Sequence, residues 1–211
     1  MGFGICSNNG GMAMTERERM EAGMWYDANF DPGLAKLRLA VKDLCWQFNA
    51  LAPSALEERL GLLRRIVGHL DEPCEILSPF MVDYGFNVSI GAGSFINHDC
   101  YLMDCAPISI GSHVFIGPRF GAYTALHPLL AEQRNTGMEC AKPITIDDNC
   151  WFGGNVTVLP GVHIGEGCVI GAGSVVTRDI PANSLAMGVP CRVVRQITQE
   201  DRLSPEEHEK A

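Results

Sequence analysis

The sequence lacks the features that mark membrane-bound, secreted and disordered proteins. It has no apolar run long enough to span a membrane, and its N-terminus has no basic segment followed by an apolar one. Charged residues make up only 19% and hydrophobic residues 46% of the 211 residues, which is typical of a globular chain. The net charge of −9 argues against a broad surface that binds nucleic acid. We therefore expect neither a membrane nor a nucleic acid among its partners.

The cysteines lack any spacing that would give them a shared function. Nine are present, none of them in a C-x-x-C pair, and Cys100 and Cys105 stand five residues apart. This pattern argues against a zinc ribbon and against a disulfide framework. An odd number of free thiols fits a reducing compartment, so we expect a cytoplasmic protein without a metal site.

Changes in composition divide the chain into four segments. Residues 1–13 are expected to form a disordered leader. Residues 14–72 carry helical patterns, whereas residues 73–198 are rich in Gly, Pro and β-branched residues and lack such patterns. Residues 199–211 form a charged tail. We expect an N-terminal α-helical region followed by a β domain.

Capping sequences and apolar spacing predict two or three amphipathic helices in the N-terminal region. Three helix starts are indicated, by Thr15 with Glu18, by Asp31-Pro32 and by Ser54 with Glu57. The predicted apolar faces comprise Leu34, Leu37, Val41, Leu44 and Phe48 in one helix and Leu56, Leu60, Leu63 and Val67 in the next.

In the β domain an apolar residue recurs every six positions, which is the period of a hexapeptide solenoid. These anchors are Ile90, Ile96, Leu102, Ile110, Ile116, Ile146, Phe152, Val158, Ile164, Ile170 and Val176. Four residues after each anchor comes a second, usually small residue: Ser94, Cys100, Ala106, Val114, Cys150, Val156, Val162, Cys168 and Ser174, with Phe120 and Ile180 as the larger ones. Both sets are predicted to point inward, and three hexads to form one triangular turn of a parallel β-helix.

Six glycines directly follow an anchor, at positions 91, 111, 117, 153, 165 and 171. We expect them to turn the corners of the triangle, where glycine tolerates unusual backbone angles. Two residues are inserted near Cys105-Ala106-Pro107, and residues 123–142 lack the hexad pattern altogether. The latter are predicted to form an extended loop, and such loops often carry function. A closing segment is expected to cross the C-terminal end of the solenoid with Leu185, Val189, Val193 and Val194.

Several motifs resemble the maltose and galactoside O-acetyltransferases, which are hexapeptide-repeat acyltransferases. They are Leu126-His127-Pro128, Arg134-Asn135-Thr136-Gly137 before Lys142-Pro143-Ile144-Thr145-Ile146, and Asn149-Cys150-Trp151-Phe152-Gly153-Gly154. The helical start and Asp83-Tyr84-Gly85-x-Asn87 also match, the latter favouring the maltose branch. The resemblance, over about residues 14–195, implies a mainly β fold: a left-handed parallel β-helix with an N-terminal α-helical region. It also implies a homotrimer with active sites between subunits, and transfer of acetyl from acetyl-CoA to a sugar hydroxyl.

His127 is the candidate general base. A sugar hydroxyl is protonated at neutral pH, so its proton must leave as it attacks the thioester, and imidazole titrates in the suitable range. By the resemblance, Asn97 hydrogen-bonds the acceptor hydroxyl or the acetyl group; the alternative is a turn asparagine in a left-handed conformation. The resemblance also makes the Gly154 N–H the donor to the oxyanion of the tetrahedral intermediate.

Further residues match the family's binding positions. The positions that match CoA contacts are Asn97, Trp151, Gly154, Ala172, Gly173, Thr177, Arg178, Arg192 and Arg195. Among them the arginines suit bidentate contacts to phosphate, and Trp151 packs against the acceptor, against pantetheine or between subunits. The positions that match acceptor contacts are Asp27, Arg38, Asp83, Asn97, Asp104 and Glu139. Carboxylates suit sugar hydroxyls as acceptors, and Glu139 either contacts the acceptor or pairs with His127. Cys105 stands where the galactoside branch has an acid.

Three alternatives stay open at this point. The first is another acyltransferase on the same scaffold, acting on an antibiotic, serine or an amino sugar. The second is a metalloenzyme resembling the γ-type carbonic anhydrases, although His98, His113 and His127 do not contain the required H-x4-H pair. The third is a non-catalytic trimeric scaffold, against which the long loop and His127 argue.

Overall fold

The computed structural model describes residues 13–204. The predicted leader, apart from its last residue, and the end of the predicted tail lie outside the described residues. Within this range the chain forms three helices, then a solenoid of short parallel strands that an excursion interrupts. None of the helices in this range is long and apolar enough to cross a membrane.

The N-terminal region contains α1 (Glu16–Glu21), β1 (Tyr26–Asp27), α2 (Pro32–Ala50) and α3 (Leu56–Ile66). The predicted caps of α1 and α2 are confirmed, since Thr15 and Glu18 form a reciprocal capping box and Asp31 accepts from the Leu34 N–H. The third cap was wrong. Because α3 begins after Ala55, Ser54 lies outside the cap position, and the helix start has no side-chain hydrogen bond. Leu56 is correspondingly 71% exposed.

The solenoid has five coils of three strands each and one strand of a sixth coil. The first three comprise β2 (His69–Leu70), β3 (Glu75–Ile76) and β4 (Phe80–Val82), then β5 (Val88–Ile90), β6 (Phe95–Ile96) and β7 (Cys100–Met103), then β8 (Ile108–Ile110), β9 (Phe115–Ile116) and β10 (Gly121–Tyr123). The excursion comprises β11 (Ala125–Leu126), α4 (Ala131–Arg134) and β12 (Met138–Ala141). The next two coils comprise β13 (Ile144–Ile146), β14 (Trp151–Phe152) and β15 (Thr157–Val158), then β16 (His163–Ile164), β17 (Val169–Ile170) and β18 (Val175–Val176). The last strand of the solenoid is β19 (Ser184–Met187), and it is followed by β20 (Arg192–Gln196) and a 3-10 turn (Gln199–Asp201).

Parallel pairing of successive coils builds three faces. Face 1 contains β2, β5, β8, β13 and β16, face 2 contains β3, β6, β9, β14, β17 and β19, and face 3 contains β4, β7, β10, β15 and β18. The anchors and the small residues of the hexads are all buried. All anchors belong to one core, whereas Ala106, beside the two-residue insertion, packs in a second cluster with Tyr26 and Leu34. The predicted hexapeptide solenoid is therefore confirmed.

The corners of the triangle have a different backbone from the one that the glycines suggested. Gly153 does not have a positive φ. A Cβ placed on it would lie 2.6 Å from the backbone nitrogen of Ala172 in the next coil. Glycine is thus required by close stacking of the coils, and the expectation of unusual backbone angles was wrong. The left-handed residues come two positions later, as at Asp99, His113, Arg119, Asn149, Asn155 and Asn183.

The predicted loop is partly a small sheet. β12 pairs antiparallel with β11 on one side and with β1 on the other, so the N-terminal region and the excursion share one three-stranded sheet. Tyr26 lies directly opposite Glu139 in this sheet. This pairing brings the N-terminal region to the corner between faces 3 and 1, where the excursion leaves the solenoid.

Side chains of α2 and α3 bond to the free edges of two strands of the first coil, β3 and β4. Asn49 donates to the Phe80 carbonyl at 3.1 Å and accepts from the Phe80 N–H at 2.9 Å, as a neighbouring strand would. Arg59, only 7% exposed, donates to the Ile76 carbonyl. These bonds tie α2 and α3 to the end of the solenoid.

The C-terminal end is finished by a hairpin. β20 pairs antiparallel with β19, because the chain reverses direction and bonds to the free edge of face 2. The expected closing residues do not cross the end: Val189, Val193 and Val194 are 71%, 42% and 58% exposed. Ala186 and Cys191 are buried there instead.

Candidate functional site

His127 follows β11, where the excursion leaves the solenoid. Its Nδ1 lies 3.1 Å from the Met138 carbonyl oxygen. A carbonyl only accepts, so this hydrogen bond assigns the proton to Nδ1 and leaves a lone pair on Nε2. The side chain is 42% exposed, so a bound substrate can reach Nε2. The backbone thus fixes the tautomer that a general base requires.

Glu139 faces His127 from β12. Its Oε2 lies 3.5 Å from His127 Nε2, and its Oε1 accepts a hydrogen bond from the Tyr26 hydroxyl. Glu139 is only 8% exposed. The 3.5 Å separation is longer than a hydrogen bond, so Nε2 is not occupied by the carboxylate. A carboxylate at this distance stabilises a protonated imidazole by charge.

A pocket of about 240 Å³ opens beside Glu139. It is lined by Ala28, Asn29, Arg38, Lys42, Asp83, Tyr84, Tyr101, Cys105 and Glu139. The lining combines α2, the segment after β4, β7 and β12. Two cationic and two carboxylate side chains balance each other in this space, and the phenols and the amide add neutral hydrogen-bonding groups.

Asp83 lies at the base of this pocket with both oxygens engaged. Oδ1 accepts a hydrogen bond from the Tyr101 hydroxyl at 2.6 Å and lies 3.7 Å from Lys42 Nζ. Oδ2 lies 3.9 Å from the Cys105 thiol. Burial raises the pKa of Tyr101, and the hydrogen bond to Asp83 raises it further, so the phenol remains a donor. Asp83 is thereby held in a single orientation.

Arg38 is oriented by two hydrogen bonds. It donates to the Tyr84 hydroxyl at 2.5 Å and to the Ala28 carbonyl at 2.7 Å. Three of the predicted acceptor residues, Arg38, Asp83 and Glu139, thus line the same pocket.

Two other predicted acceptor residues have different positions. Asp104 is fully buried, and its carboxylate accepts from the backbone N–H groups of Asp83, Tyr84 and Asn87. Burial raises the pKa of Asp104 to about 7 against the lowering effect of these bonds. The residue supports the segment that carries Asp83, and its side chain is not open to an acceptor. Asp27 accepts hydrogen bonds from the N–H groups of Asn29 and Phe30 in its own turn. It does not line the pocket.

Asn97 and Gly154 lie at another corner, between faces 2 and 3. Asn97 is not in the left-handed region, so its place at the corner does not come from backbone preference. Gly154 lies between Gly153 and Asn155, whose N–H groups bond to the coils on either side. Within the described part of the chain, the Gly154 N–H has no hydrogen-bond acceptor. A donor free in this way can bind a ligand oxygen.

The predicted CoA residues other than Asn97 and Gly154 fall into four groups. Ala172 and Gly173 stack on the Gly154 corner, where Gly173 N–H bonds to the Gly154 carbonyl. Trp151 is 57% exposed on face 2. Thr177 and Arg178 follow β18 and therefore lie at the corner of the excursion.

The two remaining arginines lie on β20. Arg192 Nη1 bonds to the Cys191 carbonyl at 2.7 Å. Arg195 forms a bidentate ion pair with Asp201 at 2.8 and 2.6 Å, which raises the pKa of Arg195. A phosphate that binds Arg195 has to displace this carboxylate.

The sequence prediction missed Tyr26, Lys42 and Tyr101. Lys42 lies one helical turn after Arg38 on α2, so the spacing alone could have indicated it. Tyr26 is in a strand of two residues whose partner lies more than a hundred positions away, and local sequence carries no signal for such a pairing.

His98, His113 and His127, the candidate metal ligands of the carbonic anhydrase alternative, do not lie close together within one chain. His98 and His113 lie at two different corners of the solenoid, and His127 lies at the third. Across residues 13–204, no group of three or more His, Cys, Asp or Glu side chains is arranged to hold a metal ion.

Comparisons with known proteins agree with this architecture. The family model of the maltose acetyltransferase hexapeptide capping motif matches residues 19–71, and that of the hexapeptide repeat of succinyl-transferase matches residues 143–178. A Staphylococcus aureus (strain COL) protein, named provisionally as an acetyltransferase, is 52% identical over 187 residues, or 89% of this chain and 94% of that protein.

Two solved structures are similar along almost their whole length. A maltose O-acetyltransferase from Clostridium difficile 630 is 43% identical, with a TM-score of 0.86 over 89% of this chain and 100% of that one. A galactoside acetyltransferase in complex with coenzyme A is 36% identical, with a TM-score of 0.83 over 90% of this chain and 94% of that one.

Proposed function

The chain belongs to the hexapeptide-repeat acetyltransferases of the maltose and galactoside O-acetyltransferase type, and we propose that it acetylates a sugar hydroxyl with acetyl-CoA as the donor. The acceptor class is maltose, glucose or a galactoside. The observation that carries this proposal is the fixed tautomer of His127, whose Nε2 is available beside a pocket lined by Asp83, Arg38 and Glu139.

The reaction is a direct transfer between two bound substrates. The acceptor hydroxyl gives its proton to His127 Nε2 while its oxygen attacks the thioester carbonyl carbon. The Gly154 N–H donates to the resulting oxyanion, and Asn97 orients the acceptor or the acetyl group. When the intermediate collapses, the carbon–sulfur bond breaks and the CoA sulfur takes the proton from His127. The products are the sugar ester and CoA thiol.

The split position of these groups supports an active site between subunits. His127 and Gly154 lie at opposite edges of face 3, roughly 15–20 Å apart at about 3.3 Å per extended residue. One chain alone therefore does not place the base beside the oxyanion donor. In a homotrimer the excursion corner of one subunit meets the Gly154 corner of the next, which completes the site.

The outward residues of the faces indicate which face is covered in this trimer. The outward positions of face 2 begin with the charged Glu75 in the first coil and are apolar from there on, in the register Phe95, Phe115, Trp151, Val169 and Leu185. Those of face 1 are polar, in the register His69, Ser89, Ser109, Thr145 and His163. A continuous apolar ladder favours burial against a partner, so face 2 is the proposed subunit interface.

The same corners supply the CoA contacts. Ala172 and Gly173 bind pantetheine beside Gly154, and Trp151 packs at the edge of that groove. Thr177 and Arg178 lie at the opposite corner, from which they reach CoA across the subunit interface. Arg192 and Arg195 bind the phosphates, Arg195 after exchange of its partner Asp201.

The test is thiol release from acetyl-CoA with a panel of acceptors. We expect turnover with maltose, glucose or a galactoside, and a loss of at least about 100-fold in His127→Ala, the range for removal of a general base. His163→Ala is the matched control, since His163 is also exposed and its Nε2 lies 2.9 Å from a carboxylate, Asp147. The control variant should keep wild-type activity.

Three outcomes contradict the proposal. Turnover only with serine, an amino sugar or an antibiotic would assign another acceptor class on the same scaffold. Unchanged activity in His127→Ala would refute the mechanism. No turnover with any acceptor would leave a non-catalytic scaffold as the better description.

A further inference from the structure

A tyrosine from the N-terminal region lies behind the proposed base. Because β1 and β12 pair antiparallel, Tyr26 stands directly opposite Glu139 and its hydroxyl donates to Glu139 Oε1. The other oxygen of this carboxylate, Oε2, lies 3.5 Å from His127 Nε2. Tyr26 is 2% exposed and Glu139 8% exposed. The buried Tyr26 phenol thus contacts the buried Glu139 carboxylate, which in turn lies beside the half-exposed imidazole of His127.

We propose that Tyr26 is a positioning residue that acts on His127 through Glu139. It holds the carboxylate with Oε2 toward Nε2, where the negative charge stabilises the imidazolium that forms as the acceptor loses its proton. Tyr26 touches neither substrate. The inference rests on the proposed function, in which His127 is the general base.

The chemistry of the pair makes the direction of the hydrogen bond definite. Burial raises the pKa of Tyr26, and the neighbours Cys105 and Glu139 raise it further, so the phenol stays protonated and donates. A carboxylate without this bond can rotate, because the terminal torsion of glutamate is broad. Arg38 offers a competing partner, since the charge of Glu139 contributes to the raised pKa of Arg38. Loss of the phenol hydroxyl would therefore let Glu139 turn away from His127.

A purely structural role for Tyr26 is the competing explanation. Its ring packs in a small apolar cluster with Met20, Ala28 and Leu34. Tyr26→Phe keeps the ring and removes only the hydroxyl. Tyr84→Phe is the matched control, because Tyr84 is also buried, at 4% exposed, but its hydroxyl bonds to Arg38 instead of Glu139.

Steady-state kinetics separate the two roles. We expect Tyr26→Phe to lower kcat by about 10- to 100-fold, as the loss of a hydrogen bond to a charged group does, with little change in either KM. Tyr84→Phe should instead raise the KM of the acceptor. Melting temperatures of both variants report any loss of folding. An unchanged kcat in Tyr26→Phe would overturn the proposal.

A double-mutant cycle tests whether Tyr26 acts through Glu139. In the background of Glu139→Gln, addition of Tyr26→Phe should reduce kcat by less than about twofold, because the path to His127 is already broken. A structural or independent role predicts that the two losses multiply. Multiplicative losses would refute the assigned path.

A readout without turnover keeps this inference separate from the proposed function. Imidazole nitrogen NMR signals of His127, assigned with His127→Ala, should shift in Tyr26→Phe, while those of His163 should stay in place. A wild-type protein that acetylates no sugar would refute the proposed function and leave this measurement valid. Unshifted His127 signals would overturn the role of Tyr26 whether or not the enzyme turns over.

Discussion

We expect Gly153 and Gly154, although adjacent, to respond in opposite ways to a single added methyl group. A Cβ on Gly153 would lie 2.6 Å from Ala172 N, 2.9 Å from its Cα and 3.0 Å from its Cβ, so the next coil has to move. Overpacking of this kind costs about 1–3 kcal/mol. A Cβ on Gly154 would meet its nearest neighbours, in Pro118, at 3.5 Å, which is ordinary contact. Its φ is not positive, so Gly154→Ala stabilises by about 0.4–1 kcal/mol through the unfolded chain.

The difference between Gly153→Ala and Gly154→Ala is therefore about 1.5–4 kcal/mol in the free energy of unfolding. For a chain of this length it corresponds to about 3–16 °C in melting temperature. Thermal and urea denaturation measure it, and both variants are compared at one protein concentration because the stability of the proposed trimer would depend on concentration. Equal effects of the two variants, or a larger loss for Gly154→Ala, would refute the stacking explanation of the corner glycines.

Three further predictions follow from the site and the faces. Gly154→Ala should keep acetyl transfer within about threefold because the N–H remains, whereas Gly154→Pro, which removes it, should lower kcat by about 100- to 1,000-fold in a thiol-release assay. Phe115→Lys, on apolar face 2, should shift sedimentation toward the monomer, whereas Ser109→Lys on polar face 1 should not. Burial raises the pKa of Asp104 to about 7 from 3.8, so the folded state binds this proton more tightly and the free energy of unfolding should fall as pH rises from about 4 to 7. Asp104→Asn should remove this slope in urea titrations, and an unchanged slope would assign the pH dependence to other groups.

The solenoid could be predicted from the sequence because its stabilising interactions repeat. Each anchor, such as Ile96 or Ile170, faces the same kind of neighbours in the coils on either side, so one period describes them all. The corner glycines show the limit of that reasoning. Their positions were predicted correctly, but the predicted reason, unusual backbone angles, was wrong. The true reason is the short distance between neighbouring coils, and a sequence pattern contains no information about that distance.

The candidate site was predictable only where its residues lie in local motifs. His127 and Asp83 belong to short recognisable segments, and the structure places them at one corner. Asp104 belongs to such a segment too, yet its carboxylate is consumed by three backbone N–H groups. Tyr26 has no local motif, since its role depends on one antiparallel pairing with a distant strand.

The side-chain bonds at the first coil also bear on self-association of the solenoid. A stack of parallel strands ends in unpaired N–H and carbonyl groups, which are a template for strands of another molecule. Asn49 fills both positions at Phe80, and Arg59 fills the carbonyl at Ile76. We therefore expect the helical region to hinder the addition of a further strand at these two positions. A variant that loses these two side chains would present the solenoid edge as a nucleus for fibre growth.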